Sequence, residues 1–338
     1  MHRDNGNDRG RRSVAVVLFQ LGGPDSPEAI EPFLFNLFSD PDIINFPFAR
    51  LARPTLARLV ATRRAKHVRE HYARIGGRSP IRELTERQAA ALESELRRTM
   101  DARCLVAMRY WNPSTSDAIR QIQARRFDQL VLLPLYPQYS KTTTGSSLNE
   151  WRRQFGANAP DLREAKVVSE FHNHPLYIDA VVERINLGLE KFRGAEDPRA
   201  DDVLLVFSAH GVPLKEIERG DPYQAQIEST MRSVTECGHW SNPRCLCYQS
   251  RVGPGKWLQP TLDASLRQFA AQGVKRVLVI PISFVSDHVE TLHEINIEAR
   301  ELAQSLGILQ FETMPALNDS PTFIRALADL VTRAVSSV

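Results

Sequence analysis

The sequence predicts an α/β protein with parallel sheets, built from two related halves. Short apolar, β-branched runs alternate along the chain with longer amphipathic runs, which is typical of strands joined by helical crossovers. Two pairs of segments resemble each other, which indicates an internal duplication. The chain has 338 residues, enough for two cores, since single cores stop growing at roughly 250–300 residues.

Eight apolar runs have the composition of strands buried on both faces of a parallel sheet. We expect strands at Ser13–Gln20, Cys104–Tyr110, Gln129–Leu135, Lys166–Glu170, Val203–Phe207, Arg244–Tyr248, Arg276–Ser283 and Leu309–Thr313. Between them we expect helices at Glu83–Thr99, Ser114–Ala124, Pro175–Phe192, Thr261–Gln272 and Glu290–Leu306. In such sheets ligands bind beyond the carboxyl ends of the strands.

The duplication is visible in the strands and in the segments after them. VAVVLFQLGGP at 14–24 parallels VLLVFSAHGVP at 203–213, and MRYWNPSTSDAIRQ with LVLLPLYPQYS parallels YQSRVGPGKWLQPTLDASLRQ with VLVIPISFVSD. We therefore expect a first domain over 13–165 and a second over 166–307, with the last strand and helix, 308–338, packing back on the first. A cleft between two similar domains is a common small-molecule site.

Composition excludes several classes of protein. A formal net charge of +3 does not argue for nucleic acid binding, and no apolar run reaches the ~20 residues of a membrane span. Residues 1–12 are polar and have no apolar signal region, so we expect a disordered tail and a cytoplasmic protein. We expect a monomer or a homodimer.

The two halves carry different side chains at matching strand ends. Leu21 in the first half corresponds to His210 in the second. The later strand is followed by Tyr136, Gln138, Tyr139 and Ser140 in the first half, and by Ser286, Asp287, His288 and Glu290 in the second. One apolar, aromatic wall and one imidazole–carboxylate wall would suit a flat apolar ligand with polar chemistry at its centre. Gly22-Gly23 matches neither the Walker nor the dinucleotide spacing.

Seven motifs in order resemble the ferrochelatases over nearly the whole chain. They are LFQLGGPDSP, HYARIGGRSPI, MRYWNPST, PLYPQYSKTTTGSS, FSAHGVPLKEIERGDPY, YQSRVGPGKWLQP and ISFVSDHVETLHE. The resemblance implies a chelatase-like fold of two Rossmann-like domains around a porphyrin cleft. It implies insertion of Fe²⁺ into a porphyrin, late in haem synthesis, with release of two protons and no cofactor required.

The resemblance also assigns catalytic residues. His210 matches the family's catalytic histidine, and Glu290 matches its catalytic glutamate, which we expect on the other side of the macrocycle. Imidazole suits proton removal because its ordinary pKa is about 6.5, and imidazole with carboxylate suits Fe²⁺. Asp287 and His288 match further residues of the family's site, although Asp287 could equally cap a helix.

Acidic residues continue along the predicted helix after Glu290. Glu294 and Glu298 lie on its face, and the resemblance implies that they guide metal toward His210 and Glu290. The alternative is a solvated face, on which like charges cost roughly 0.2–0.5 kcal/mol per pair.

Further residues are candidates for contacts with the porphyrin. They are Leu21, Arg63, Arg64, Tyr72, Ser79, Arg109, Tyr110, Tyr139 and Tyr248. Guanidinium groups would pair with the porphyrin carboxylates and tyrosine rings would stack on the macrocycle; surface arginines without a role are the alternative. The segment 44–64 mixes apolar residues with arginines and could rest on an anionic membrane surface.

The four cysteines allow two interpretations. Cys237, Cys245 and Cys247, with Cys104 or His239, could hold a [2Fe–2S] cluster. Alternatively, Cys245 and Cys247 are residues on the same face of a strand, and Cys104 is a buried apolar residue.

Other functions remain open at this point. A metal-dependent hydrolase could use His288, Glu290 and His293, but their spacing is not H-E-x-x-H. A related chelatase could load Co²⁺ or Ni²⁺ into another tetrapyrrole, and a carrier could bind haem or metal without catalysis. The choice between protoporphyrin and coproporphyrin also stays open.

Overall fold

Two four-stranded parallel sheets form the framework of the chain. The computed structural model describes residues 12–43, 49–155, 165–193, 201–250 and 255–337. The first sheet has the order β2-β1-β3-β4, with β1 Ser13–Gln20, β2 Asp101–Met108, β3 Gln129–Pro134 and β4 Lys166–Val167. The second has the order β6-β5-β7-β8, with β5 Leu204–His210, β6 Arg244–Gln249, β7 Arg276–Pro281 and β8 Gln310–Thr313.

The two sheets share one topology, which confirms the predicted α/β fold class with two similar halves. In each sheet the strand that comes first in the chain lies between the second and third strands. Its register also repeats, since Gln20 pairs with Met108 and Ala209 pairs with Tyr248. Leu21 and His210 therefore follow equivalent positions at the carboxyl edges of their sheets.

Helices cover the sheets. Their bounds are α1 Ile30–Phe38, α2 Ala49–Ala73, α3 Ile81–Leu96, α4 Thr115–Ala124, α5 Ser146–Phe155, α6 Pro175–Glu190, α7 Leu214–Glu218, α8 Tyr223–Gly238, α9 Leu262–Ala271, α10 Arg300–Ser305 and α11 Pro321–Ser336. The helices after β2 and β6 begin with matching caps, because the side chains of Ser114 and Thr261 accept hydrogen bonds from helix N–H groups. These caps fix the path of the chain away from the carboxyl edge.

The end of the chain divides between the two halves. We expected the last strand and helix both to pack on the first half, but β8 pairs with β7 in the second sheet. Its Phe311 is buried there with Val277 and Val279, which gives the pairing an apolar reason. Helix α11 contacts α3, β3 and β4 of the first half and α6 of the second. A division into domains at 165 and 307 stays a prediction.

The helix after β7 differs in type from our prediction. We expected one α-helix over Glu290–Leu306, whereas Glu290–Ala299 is π-helical and only Arg300–Ser305 is α-helical. A π-helical turn at Lys141–Gly145 occupies the corresponding place after β3. π-Helical segments are rare and occur frequently at functional sites.

Helix α2 packs on α1 through small side chains. Ala57, Ala61 and Ala65 recur at helical spacing and are buried against α1. On its other side α2 exposes Leu56 and Leu59. Residues 44–48 of the predicted membrane-facing segment, and residues 1–11 of the predicted tail, lie outside the described residues. Among the described helices, none is both long enough and apolar enough to cross a membrane.

Candidate active site

The carboxyl ends of the second sheet bring an imidazole and a carboxylate into direct contact. His210 is the last residue of β5, and its Nδ1 lies 2.8 Å from Oε2 of Glu290, the first residue of the π-helical segment. Two contacts hold the histidine backbone: its N–H donates to the Ser283 hydroxyl at 3.0 Å, and the Tyr223 hydroxyl donates to its carbonyl at 3.0 Å. The pair is therefore positioned by the end of the sheet.

This contact corrects one expectation. We expected His210 and Glu290 on opposite faces of a bound macrocycle. At 2.8 Å they leave no space between them for a flat ligand, because both rise from the same edge of one sheet. A macrocycle beside them would meet both groups from one side.

Ser250 connects the pair to a second carboxylate. It follows β6 with a left-handed φ of 62°, and its Oγ lies 2.9 Å from Glu290 Oε2 while also contacting Glu294 Oε2. A hydroxyl group donates only one hydrogen. If Ser250 donates to Glu290, then Glu294 must be protonated and donate to Ser250.

The pKa shifts favour the arrangement in which Ser250 donates to Glu290 and a protonated Glu294 donates to Ser250. Burial and the neighbouring Glu290 charge raise the pKa of Glu294 to about 7. For His210, burial would lower the pKa, but the Glu290 charge and hydrogen bond outweigh it and raise the pKa above the ordinary imidazole value. For Glu290, burial is likewise outweighed by His210, and its pKa is lowered. The four groups form one continuous path for protons from His210 to Glu294.

A cavity of about 730 Å³, including its mouth, opens in front of the pair. Part of the lining is apolar or aromatic, from Leu21, Ile81, Leu135, Tyr136, Val212, Phe284 and Val285, and uncharged polar side chains such as Gln138 and Thr143 also contribute. His210, His288 and Glu290 form its ionisable part. Leu21 and His210, which occupy equivalent positions in the two halves, thus line one cavity, as the comparison of the halves predicted.

His288 and Asp287 have different positions. The ring of His288 is buried in the cavity wall, and its Nδ1 lies 3.1 Å from the carbonyl of Ser286. Burial lowers the pKa of His288 despite the nearby Glu290 charge, so the ring is neutral. Asp287 instead accepts hydrogen bonds from Asn318 Nδ2 and Thr291 Oγ1, both at 3.1 Å. It anchors the turn before the π-helical segment.

A second cavity, called the outer cavity below, lies beside the acidic residues that follow Glu290. Glu294 and Glu298 line it together with Ser250, Tyr248 and Asp263. Glu290, Ser250 and Glu294 therefore connect the central cavity to this outer cavity. Glu294 is partly buried, which differs from a solvated face, whereas Glu298 is exposed. That these acidic residues guide metal stays a prediction.

Two of the predicted porphyrin residues are engaged inside the protein. Arg109 forms an ion pair at 2.9 Å with the fully buried Asp40, and it donates to Ser146 at 2.8 Å. The Tyr110 hydroxyl donates to the same carboxylate at 2.6 Å. An arginine committed to a buried carboxylate is not free to grip a ligand. Both residues therefore have structural contacts, and their contact with a porphyrin stays a prediction.

The remaining porphyrin candidates lie outside the lining of the central cavity. Ser79 packs on Gly23, where an added Cβ would come within 2.6 Å of its hydroxyl. Tyr72, near the end of α2, is buried in the cluster that α2 forms with α1, and Tyr248 is buried beneath the second sheet edge and lines the outer cavity. Tyr139 lines a separate depression with Lys141. Arg63 and Arg64 are exposed on α2, with the Arg64 guanidinium over the Phe38 ring.

The cysteines do not form a common site. Cys104 is buried in the first sheet, Cys247 is buried in the second, and Cys237 is exposed on α8 with its Sγ near Asp179. Cys245 and Cys247 lie on one face of β6, as the alternative interpretation predicted, and burial raises the pKa of Cys245 to about 12. His239 ends α8 in a left-handed conformation. These positions do not fit a four-ligand cluster.

Sequence reasoning missed Ser250, Ser283 and Tyr223. The signal for the two serines was present, since each lies just beyond the carboxyl end of a strand, where ligand sites form. Tyr223 begins a helix that was not predicted, and its contact with His210 crosses thirteen residues of chain. Nothing in its local pattern pointed to the site.

Comparison with known proteins places the chain among related sequences. A family model described as Ferrochelatase matches residues 13–335. Curated proteins named ferrochelatase are similar throughout: that of Geotalea uraniireducens is 48% identical over 324 residues, covering 96% of this chain and 98% of that protein. That of Aquifex aeolicus is 47% identical over 320 residues, covering 95% and 99%. That of Nostoc is 47% identical over 327 residues, covering 96% and 82%.

Solved structures support the fold. SirB from Bacillus subtilis, solved with Fe3+, has a TM-score of 0.52 at 10% identity and covers 96% of both chains. DR2241 from Deinococcus radiodurans, described as structurally similar to chelatases, has a TM-score of 0.51 at 11% identity, covering 96% of this chain and 56% of that one. At such identities the likeness concerns the fold alone.

Proposed function

The chain belongs to the ferrochelatase family, whose activity is metal insertion into a porphyrin for haem synthesis, and we propose that its metal is Fe²⁺ and its porphyrin protoporphyrin IX or coproporphyrin III. One observation carries the residue assignment: the His210–Glu290 pair, 2.8 Å apart, at the wall of a cavity that also has apolar and aromatic side chains in its lining. A porphyrin presents a flat apolar body with exchangeable protons at its centre, and the cavity is complementary to both features.

The reaction exchanges two pyrrole protons for one cation. His210 and Glu290 share a proton, and a divalent cation approaching the pair would displace it. An imidazole–carboxylate set suits Fe²⁺, because imidazole is a good ligand for iron and the carboxylate supplies negative charge. We therefore assign the pair two linked tasks, holding the incoming cation and accepting protons in exchange.

Ser250 and Glu294 provide a route by which the released protons leave the pair. Glu294, with a pKa of about 7, gains or loses a proton readily near neutral pH. Through Ser250 it contacts Glu290 and it faces the outer cavity. Protons taken up by His210 and Glu290 can thus leave on the side away from the macrocycle, while metal reaches the pair along the same carboxylates.

Neutral His288 supplies the second imidazole of the cavity. Its Nδ1–H donates to the Ser286 carbonyl, which leaves Nε2 with the lone pair. Asp287 holds the turn that orients it. We assign His288 a share in proton removal and Asp287 a positioning role.

The proposal is tested by an anaerobic insertion assay. Purified protein is mixed with Fe²⁺ and each porphyrin in turn, and the visible absorption is followed; parallel reactions contain Co²⁺ or Ni²⁺. We expect the greatest insertion rate with Fe²⁺. His210→Ala should abolish insertion and leave porphyrin binding largely intact, whereas His67→Ala, which removes an exposed histidine, should keep the parent rate.

Three results would contradict it. A carrier would bind porphyrin and give no metalated product above the blank. A His210→Ala variant that inserts iron at the parent rate would remove His210 from the reaction. Faster insertion of Co²⁺ or Ni²⁺ than of Fe²⁺ would refute the assignment of the metal.

A further inference from the structure

A second group of metal-ligating side chains lies between α2 and the π-helical segment. It consists of His71 from α2 with His293 and Glu298 from the π-helical segment. One nitrogen or oxygen atom from each lies within 4.8 Å of the others. The two imidazole rings are stacked, with centroids 4.1 Å apart and planes 14° apart. None of the three side chains belongs to the His210–Glu290 contact or lines the central cavity.

His293 has an unusual environment. Its side chain is only 1% exposed, and neither ring nitrogen has a hydrogen-bond partner. Buried polar atoms in proteins are nearly always hydrogen-bonded, and an exception calls for a bound water, an ion or a function. Glu298 Oε2 lies 3.6 Å from Nδ1, which is too long for a hydrogen bond.

We propose that His71, His293 and Glu298 bind a divalent transition-metal cation. Two imidazoles and one carboxylate are a common donor set for Zn²⁺ and Fe²⁺, whereas Mg²⁺ prefers oxygen ligands alone. Zinc–nitrogen bonds of about 2.0–2.1 Å would require the two nitrogens to stand roughly 3.4 Å apart. Because the lone pair of each nitrogen lies in its ring plane and the stacked rings are nearly parallel, binding one ion requires the two rings to turn relative to each other.

The surrounding charges permit a cation. Arg74 acts on His293 and Arg64 acts on His71, and Arg74 forms an ion pair with Glu301. His67 contacts the His71 ring edge-on at 4.2 Å, and Glu70 lies on the same turn of α2. Burial lowers the pKa of both His71 and His293, so both rings offer neutral nitrogen atoms near neutral pH.

A cation bound here would join two elements that border the active site. Helix α2 carries His71, and the π-helical segment that carries His293 and Glu298 begins at Glu290. Since ligands that bind only the folded state stabilise it, cation binding should raise the melting temperature. The inference concerns this outer site and does not depend on insertion activity.

Calorimetric titration with Zn²⁺ tests the site. The double variant His210→Ala/Glu290→Gln removes the central ligands, and we expect it to retain one equivalent of bound Zn²⁺ and a rise in melting temperature. Adding His71→Ala, or separately His293→Asn, to this background should abolish both. Adding His67→Ala should change neither, and excess Mg²⁺ should not displace Zn²⁺.

Circular dichroism of each variant shows whether it is folded, and His71 is exposed enough (19%) for its removal to be tolerated. The inference is overturned if the double variant binds no Zn²⁺. It is equally overturned if folded His71→Ala and His293→Asn additions bind Zn²⁺ with the stoichiometry and affinity of their background. Neither result bears on whether the parent inserts metal into porphyrin.

Discussion

Replacing Ser250 tests the proposed proton path separately from the proposed metal ligands, His210 and Glu290. The Ser250 hydroxyl is the only described group that hydrogen-bonds to both Glu290 and Glu294, and it lines no part of the central cavity. Ser250→Ala removes the hydroxyl and leaves both carboxylates and His210 in place. Because Ser250 occupies a left-handed conformation with φ of 62°, Ser250→Gly is a matched second variant that lacks the hydroxyl without backbone strain.

The size of the effect follows from the hydrogen bonds that are lost. A hydrogen bond to a charged group contributes about 1.5–3 kcal/mol, and about 1.36 kcal/mol corresponds to a factor of ten. If the Ser250–Glu290 bond acts during proton transfer, insertion should slow by about 10- to 150-fold. Without the hydroxyl, the pKa of Glu290 should rise, since the hydrogen bond from Ser250 lowers it.

The assay is the initial rate of anaerobic Fe²⁺ insertion, measured for parent, Ser250→Ala and Ser250→Gly at several pH values. Porphyrin binding, followed by fluorescence quenching, should be the same in all three proteins. Equal losses in both variants would assign the effect to the hydroxyl, and a loss in Ser250→Ala alone would assign it to backbone strain. Parent rates in both variants would refute the proton path.

Three further predictions concern individual side chains. The fold favours protonated Glu294, whose pKa of about 7 exceeds the ordinary 4.5; this stabilisation is complete below pH 4.5 and is lost as pH rises through 7. Between pH 5 and 8 the free energy of unfolding should therefore fall further in the parent than in Glu294→Gln, by up to about 3 kcal/mol. Urea unfolding at each pH measures this free energy, and the same pH dependence in both proteins would contradict the prediction. Arg109→Ala leaves Asp40 buried without a cation, so it should lower the free energy of unfolding by roughly 3–5 kcal/mol. Arg109→Lys, which keeps the charge, should lower it less. A decrease below about 1 kcal/mol in Arg109→Ala would show that the ion pair is not buried as described. Cys237 alone among the four cysteines is exposed, so a thiol reagent should label one cysteine rapidly in the folded protein. Cys237→Ser should abolish this rapid labelling without slowing metal insertion. Rapid labelling of two or more thiols would be inconsistent with the fold.

The strands were predictable because their signal is local. Strand β1 begins and ends where its apolar run does, at Ser13 and Gln20. Strand β5 extends beyond the predicted Phe207 to His210, because Ser208, Ala209 and His210 continue to pair with β6. Polar residues end an apolar pattern without ending backbone pairing, so the sequence underestimates strand length where a site begins.

Features that depend on distant partners could not be predicted. The role of Arg109 is decided by Asp40, far away in sequence, and no pattern around either residue indicates the pair. The contact between His210 and Glu290 depends on how β7 and the π-helical segment turn back toward β5. Sequence supplied the two side chains but no distance between them, and the expected opposite placement was therefore wrong.

The duplicated topology explains why chemistry belongs to only one half. Matching registers make Tyr110 equivalent to Ser250 and Arg109 equivalent to Gln249. In the first half the tyrosine hydroxyl binds Asp40, whose charge is balanced by an arginine that cannot release its proton.

In the second half the serine hydroxyl binds Glu290, whose charge is balanced by His210, an imidazole that can gain and lose a proton. Each half thus has a carboxylate beside the end of its second strand, but the two come from different places in the fold, since Asp40 follows α1 and Glu290 follows β7. Where its partner is arginine, the carboxylate stabilises the fold permanently. Where its partner is histidine, the pair shares a proton that a metal cation would displace in the proposed mechanism, and the leucine at the position equivalent to His210 adds an apolar side chain to the same cavity.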